Sequence, residues 1–205
     1  MDPTSSQTGS LAALGDAALV RLVAERRPEA LAELYDRFAP TLLALARRIL
    51  GNQADAEEVL QEAFIQVWSR GQRYDPARSS VSTWLVLIAR SRAIDRLRNR
   101  KVVERTHEAS AREAAGDAGD LGQPSTSPEA VENVFIQERH ERVRREMAAL
   151  PAEQRQVLEM AFYEGLTQTE IAAKAGLPLG TVKTRTLLAM KKLRNALRQE
   201  IRQLL

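Results

Sequence analysis

The sequence predicts an all-α protein made of two small helical domains that are joined by a flexible acidic linker. The chain has 205 residues, which is enough for one domain or two small ones. Several helix-length stretches repeat apolar residues at spacings of three and four, and long alternating runs typical of strands are absent. Residues 106–128 are rich in Ala, Gly, Asp, Ser and Pro and carry almost no large apolar side chains, so they cannot form a packed core.

These features divide the chain into four segments. We predict a disordered tail at residues 1–15, a first helical domain at 16–105, the linker at 106–128 and a second helical domain at 129–205. The linker region is acidic, because six acidic residues between Thr106 and Glu132 are opposed by Arg112.

The composition excludes several classes of protein. There are no cysteines, so disulfides, thiolate metal sites and thiol nucleophiles are ruled out, and a reducing compartment fits. No apolar run approaches the roughly 20 residues of a membrane span, and the N-terminus lacks signal-peptide features, so we expect a cytoplasmic protein without membrane insertion of its own. His107 and His140 have no clustered carboxylate or nucleophile beside them. We therefore expect no catalytic residue, no cofactor and no metal.

Charge is concentrated in two basic blocks. Seven cations lie between Arg90 and Arg105, and another seven lie between Lys183 and Arg202. Together with a net charge of +3, these blocks predict two separate contacts with a polyanion such as nucleic acid.

The first domain begins with three predicted helices that are separated by prolines. Residues 16–26 predict a short helix with Asp16 as its N-cap. Pro28 opens a second helix, and Pro40 is predicted to end it and to begin a third over residues 42–50. Gly51 is predicted to close that helix in the left-handed conformation.

Residues 55–70 predict an amphipathic helix with an unusual polar face. Its apolar face collects Val59, Leu60, Ala63, Phe64, Val67 and Trp68. The opposite face collects Glu58, Gln61, Glu62 and, out of pattern, Ile65. This face is either a solvated acidic surface or a protein-binding surface, in which one apolar anchor with an acidic rim meets a basic helical partner.

A loop at residues 71–82 leads into a helix at 83–101 with two dissimilar faces. Val86, Ala89, Ala93 and Leu97 form the predicted core stripe. The other face combines aromatic, apolar and charged groups: Trp84, Ile88, Ser91, Arg92, Asp95 and Arg96. Exposed aromatic and apolar groups beside cations suit unstacked bases and their phosphates. The alternative is a core helix with a solvated basic end and Trp84 beneath a loop.

Residues 166–193 have the spacing of a helix-turn-helix motif. Thr167 and Glu170 predict a capping box at the first helix, and Gly176 permits the positive φ of the turn. Pro178 is predicted to start the recognition helix, and Val182 to hold its inner face. The motif predicts DNA binding, although a structural helical hairpin has a similar pattern.

A recognition helix presents its N-terminal exposed side chains to base edges. Here these are Thr181, Lys183, Thr184 and Leu187, with Arg185 and Lys191 placed for phosphates. Lys183 can reach guanine O6 or N7, and Leu187 can pack on a thymine methyl.

Three segments, DAEEVLQEAFIQVW, STWLVLIARSRAIDRLRNR and LPAEQRQVLEMAFYEGLTQTEIAAKAGLPLGTVKTR, resemble bacterial extracytoplasmic-function (ECF, group 4) sigma factors in order and spacing. The resemblance implies that the first domain is σ2 and the second is σ4. It also implies promoter recognition and strand opening as a dissociable subunit of RNA polymerase, without catalysis.

The resemblance assigns three sets of residues. The set implied for core polymerase, at its beta-prime coiled coil, is Asp55, Glu58, Gln61, Glu62 and Ile65. The set implied for reading and melting the −10 element is Trp84, Ile88, Ser91, Arg92, Asp95, Arg96 and Arg98. The set implied for the −35 element is Thr181, Lys183, Thr184, Arg185, Leu187 and Lys191.

The resemblance also implies partners for this chain, and the sequence differs from many family members at three positions. The beta subunit, promoter DNA and a cognate anti-sigma factor are the expected partners, and the linker is expected to thread through the polymerase. Ser91 stands where many relatives have Asn, and Leu188 and Met190 stand where many have Arg. The alternative is a helix-turn-helix regulator that binds duplex operators without polymerase, which leaves the acidic helix and linker unexplained.

Overall fold

The computed structural model describes residues 11–112 and 143–197, with side chains described up to residue 103 in the first range. Predictions for residues 1–10, for the linker beyond residue 112 and for His140 lie outside this part of the chain. The chain divides into two compact units, Met1–Pro128 and Glu129–Leu205. Within the described ranges every regular element is a helix, which confirms the predicted all-α class.

In the described residues of the first unit, four helices pack into a bundle. They are α1 (Asp16–Ala24), α2 (Pro28–Leu50), α3 (Gln53–Arg70) and α4 (Val81–Arg112), with a 3₁₀ turn, Gly71–Arg73, after α3. Each helix contributes fully buried aliphatic side chains to one core, among them Leu19, Leu34, Val67 and Leu85. Burial of these apolar stripes, more than local propensity, stabilises the bundle.

The α2 helix corrects one boundary prediction. It runs without a break through Pro40, which was predicted to separate two helices. Phe38, Ala39 and Leu42 on either side of the proline are all buried, so packing offsets the lost backbone hydrogen bond. Gly51 ends the helix with a φ of 67°, as predicted.

Two other boundaries differ from the prediction. The α3 helix begins at Gln53, because the Asn52 side chain accepts a hydrogen bond from the backbone N–H of Asp55 at 3.2 Å. The α4 helix continues to Arg112, past the predicted start of the linker at residue 106. Residues 106–112 contain Glu, Ala and Arg but no Gly or Pro, so their helix propensity extends the helix.

Arg37 holds part of the segment that was predicted to be a disordered tail. Its guanidinium donates to the backbone carbonyls of Leu14 at 3.0 Å and Ala12 at 2.9 Å. It also pairs with Asp16 and Glu33, each at 2.8 Å. Since the Arg37 side chain is only 16% exposed, this network attaches residues 11–14 to α2.

Replacing Arg37 by Met is expected to release residues 11–14 and to lower the free energy of unfolding of the first unit by about 1–3 kcal/mol, because several partly buried acceptors lose their donor. Hydrogen exchange at residues 11–16 and chemical denaturation measure the two effects. Arg21→Met, at an exposed position on α1, is the control and should change neither.

The second unit contains a helical segment at 143–148, then α5 (Ala152–Tyr163), α6 (Gln168–Ala175) and α7 (Leu179–Ala196). Val157, Met160, Ile171 and Val182 form its buried core. The Thr167–Glu170 capping box is present, and Gly176 has a φ of 65°. The predicted helix-turn-helix geometry of α6 and α7 is therefore confirmed.

Candidate nucleic-acid interface

The polar face of α3 lies directly against the basic face of α4. Arg96 of α4 pairs with Asp55 at 2.9 Å and with Glu62 at 3.6 Å, and it also contacts Glu58. Three carboxylates thus converge on one guanidinium. Burial alone would lower the pKa of Arg96, but the hydrogen bonds that its guanidinium donates to Glu58 and Asp55 outweigh this effect and raise the pKa, so Arg96 stays charged.

Two further arginines of α4, Arg92 and Arg100, lie one turn before and one turn after Arg96. Arg92 donates from Nη2 and Nε to the Gln66 side-chain oxygen at 2.7 and 3.0 Å, and it approaches Glu62 at 3.8 Å. Arg100 approaches Asp55 at 3.7 Å. We call this set the α3–α4 seam; its members are Asp55, Glu58, Glu62, Gln66, Arg92, Arg96 and Arg100.

The seam is partly exposed to solvent. Its paired side chains are between 26% and 59% exposed, so solvent screens their attraction. An isolated ion pair at such a position typically stabilises a fold by at most about 1 kcal/mol, whereas charges that share partners in a network hold one another more firmly. The seam arginines are therefore paired and yet still reachable from solvent.

Ile65 and a shallow cleft lie beside the seam. The Ile65 side chain is 66% exposed, although it belongs to a helix with a well-buried apolar face. The cleft has a volume of about 260 Å³, and its lining is formed by Glu62, Ile65, Gln66, Ser69, Arg70 and Arg92. Ile65 is therefore accessible from solvent, and both acidic and basic side chains border it.

The exposed face of α4 differs from the prediction at one residue. Ile88 was expected on the DNA-facing side, but it is only 7% exposed and belongs to the core. Leu87, which was not among the predicted residues, is 54% exposed. The α4 helix is buried over a wide arc because it packs against α1, α2 and α3, which shifts its exposed strip by one residue.

The other residues predicted for the −10 element fall into three groups. Ser91, Asp95 and Arg98 are exposed on the same strip as Leu87. Trp84 is half-buried, and its ring packs on Tyr74 with the ring centroids 5.2 Å apart. Arg92 and Arg96, predicted to hold phosphates, are the seam arginines.

The recognition helix α7 presents most of its predicted contact residues to solvent. Lys183, Thr184, Leu187 and Lys191 are exposed, and Thr181 is half-buried. Arg185, predicted to contact phosphate, instead pairs with Glu153 of α5 at 2.6 Å and is 22% exposed. In this conformation Arg185 connects α7 to α5.

The described residues lack the features of a metal-ion site and of a membrane span. No group of three or more His, Cys, Asp or Glu side chains among them is arranged to hold a metal ion. Within the same residues, no helix combines the length and apolarity that crossing a membrane requires.

Comparison with known proteins identifies the family. The model of Sigma-70 region 2 matches residues 34–102, and that of Sigma-70 region 4 matches residues 147–195. The ECF RNA polymerase sigma factor RpoE of Cereibacter sphaeroides is 37% identical over 179 residues, which cover 86% of this chain and 92% of that protein. The chain belongs to the ECF RNA polymerase sigma factors.

A second relative and a solved structure are also similar to this chain. This sigma factor is 33% identical to the ECF RNA polymerase sigma factor SigK of Mycobacterium tuberculosis over 180 residues, covering 88% of this chain and 92% of the relative. A crystal structure of Rhodobacter sphaeroides SigE in complex with the anti-sigma ChrR is 33% identical, covers 88% of this chain and 96% of that chain, and gives a TM-score of 0.44. The region 2 match contains the complete seam, and the region 4 match contains α6 and most of α7.

Proposed function

We propose that this sigma factor binds core RNA polymerase through the acidic face of α3, opens promoter DNA with α4 and reads the −35 element with α7. The observation that carries the proposal is the α3–α4 seam, where the acidic face of α3 and the arginines of α4 adjoin. The sigma factor acts by directing the polymerase, in the cytoplasm where polymerase works, and carries out no covalent chemistry itself.

The polymerase surface is proposed to be Ile65 with its rim of Asp55, Glu58, Gln61 and Glu62. A protruding aliphatic side chain surrounded by carboxylates complements a basic helical surface, such as the expected beta-prime coiled coil. Ile65 supplies apolar contact area, and the acidic rim orients the partner.

The −10 surface is proposed to be the exposed strip of α4. Leu87 and the half-buried Trp84 provide apolar surface for unstacked bases, and Ser91 lies one turn beyond Leu87. Arg98, together with Arg92 and Arg96 once they leave the seam, supplies cations for phosphates. The role predicted for Ile88 is assigned to Leu87, because Ile88 belongs to the core.

A transcription assay tests the function as a whole. Core polymerase with and without the purified chain is given fragmented genomic DNA, and the 5′ ends of the transcripts are mapped. We expect the chain to create a small set of start sites that share two sequence elements upstream. Start sites that are identical with and without the chain would favour a regulator that acts without polymerase.

Lys183→Ala is expected to weaken promoter binding by roughly 1–3 kcal/mol when the promoter carries the base pair that Lys183 prefers. When that base pair is changed, the same variant should weaken binding only a little. The reason is that Lys183 lies exposed near the N-terminus of α7, where recognition helices meet base edges. Binding of reconstituted holoenzyme to a panel of single-base −35 variants measures this. Lys192→Ala is the matched control, because Lys192 is also exposed on α7, and this variant should weaken binding to all sequences alike. If Lys183→Ala also weakened binding to all sequences alike, Lys183 would be a phosphate contact.

Regulation by an anti-sigma factor is also proposed. The support is the resemblance to the family together with the exposed α3 face, since a regulator that covers Ile65 would exclude polymerase. Competition between core polymerase and a candidate anti-sigma factor for the purified chain tests this.

A further inference from the structure

One cation of the α7 helix is neutralised by a carboxylate from another helix. The α7 sequence contains five cations and no acidic residue. Four of the cations are exposed to solvent: Lys183, Lys191, Lys192 and Arg194. The fifth, Arg185, is 22% exposed, and its Nη2 lies 2.6 Å from Oε2 of Glu153 on α5. A polyanion that approaches α7 therefore meets four open cations and one that already has a negative partner.

The packing of α5 on α7 fixes the position of this ion pair. Val157 of α5 and Val182 of α7 belong to the same buried core. Glu153 lies about one turn before Val157, and Arg185 lies about one turn after Val182, so the pair is located at the edge of that core. Glu153 is in the first turn of α5, where the helix dipole favours a negative charge. The fold thus holds a carboxylate against the side of α7.

This side of α7 is also a place where duplex DNA would put its backbone. Arg185 and Lys192 are seven residues apart and so share one flank of the helix, and Lys192 is the residue expected to bind all sequences alike. The Glu153 side chain is 68% exposed, so its charge faces the solvent that DNA would displace. A carboxylate there both neutralises Arg185 and repels an incoming phosphate.

We propose that Glu153 competes with DNA phosphate for Arg185. By occupying Arg185, it removes one phosphate contact from α7 and weakens the sequence-independent binding of the free sigma factor to duplex DNA. The inference rests on the proposed function, because it needs α7 to lie against duplex DNA. Weak binding by one unit makes stable binding depend on a second contact, which the holoenzyme supplies at the −10 element.

The test measures how binding depends on salt. The full chain is titrated by fluorescence anisotropy with a duplex of non-promoter sequence at several salt concentrations, because the slope of log K against log salt changes by about 0.9 for each phosphate contact. Glu153→Gln should steepen the slope by about 0.9 and tighten binding roughly threefold to fivefold at low salt. Glu159→Gln, the matched control, removes the same charge from the same helix about 120° away around its axis and should change neither quantity.

A second substitution connects the effect to Arg185. In the Glu153→Gln protein, Arg185→Gln should return the slope and the affinity to the wild-type values. In the wild type, Arg185→Gln should have a much smaller effect, because Glu153 already neutralises that charge. A purely structural role for the ion pair would change thermal unfolding without this non-additive change in slope. Circular dichroism should show wild-type helix content for every variant.

Four results would overturn the inference. An unchanged slope in Glu153→Gln would mean that Glu153 does not compete with phosphate. An equal gain in Glu159→Gln would make the effect one of net charge. A gain that persists after Arg185→Gln would mean that Glu153 acts on DNA without Arg185. If Lys192→Ala also leaves the slope unchanged, α7 does not lie on DNA and its proposed function fails too; a slope that responds to Lys192→Ala but not to Glu153→Gln overturns the inference alone.

Discussion

Replacing both Glu58 and Glu62 by Gln is expected to strengthen binding of the free sigma factor to single-stranded DNA about threefold to tenfold and to weaken its binding to core polymerase about tenfold. Glutamine keeps the size and hydrogen-bonding capacity of the side chains but removes two of the three negative charges beside Arg96 and the one beside Arg92, while Asp55 and Gln66 remain. The DNA gain follows from one or two ion pairs of up to about 1 kcal/mol each. The polymerase loss follows because a close interfacial charge pair contributes roughly 1.5 kcal/mol or more.

Fluorescence anisotropy with a labelled single strand of mixed sequence and a titration of core polymerase measure the two affinities. Glu57→Gln is the control, because Glu57 is exposed on α3 and contacts Gln53 instead of the seam. The control should change neither affinity. An unchanged affinity for single-stranded DNA in the double variant would mean that the seam does not restrain the arginines.

Ile65→Glu and Leu87→Glu are expected to separate polymerase binding from promoter opening. Both side chains are more than half exposed, so neither change removes core packing. Ile65→Glu should weaken binding to core polymerase at least about tenfold, because the apolar anchor is lost and a further negative charge enters the rim. Leu87→Glu should leave that affinity unchanged and strongly reduce open-complex formation, because a carboxylate repels the displaced strand.

The two variants serve as controls for each other. Core binding is measured by titration, and opening is measured by permanganate reactivity of unpaired thymines in the −10 region. Circular dichroism should show wild-type helix content for both. Equal loss of core binding in both variants would show that the α3 and α4 surfaces do not act separately.

Local sequence signals were sufficient to predict the helix-turn-helix. The capping box of Thr167 and Glu170, the positive φ of Gly176 and the inward Val182 each depend on residues a few positions apart. Such signals are short-range, so they can be recognised from the sequence without knowledge of the tertiary contacts. The helix periodicity of α3 likewise predicted its buried face and the exposure of Ile65.

Features that depend on packing between helices could not be predicted in this way. The periodicity of α4 does not reveal how many helices surround it, so Ile88 was placed outside and Leu87 was overlooked. The continuity of α2 at Pro40 and the hold of Arg37 on residues 11–14 depend on distant partners. The seam is of the same kind, since its two charged faces were recognised separately but not as partners of one another.

One measurement tests the central proposal most directly. A photoreactive benzoylphenylalanine is placed at position 65 and, in a second protein, at position 87, and each is irradiated in a reconstituted holoenzyme on promoter DNA. The account predicts a crosslink from position 65 to the beta-prime coiled coil and from position 87 to the promoter near −10. A crosslink from position 65 to DNA, or to no polymerase subunit, would contradict it.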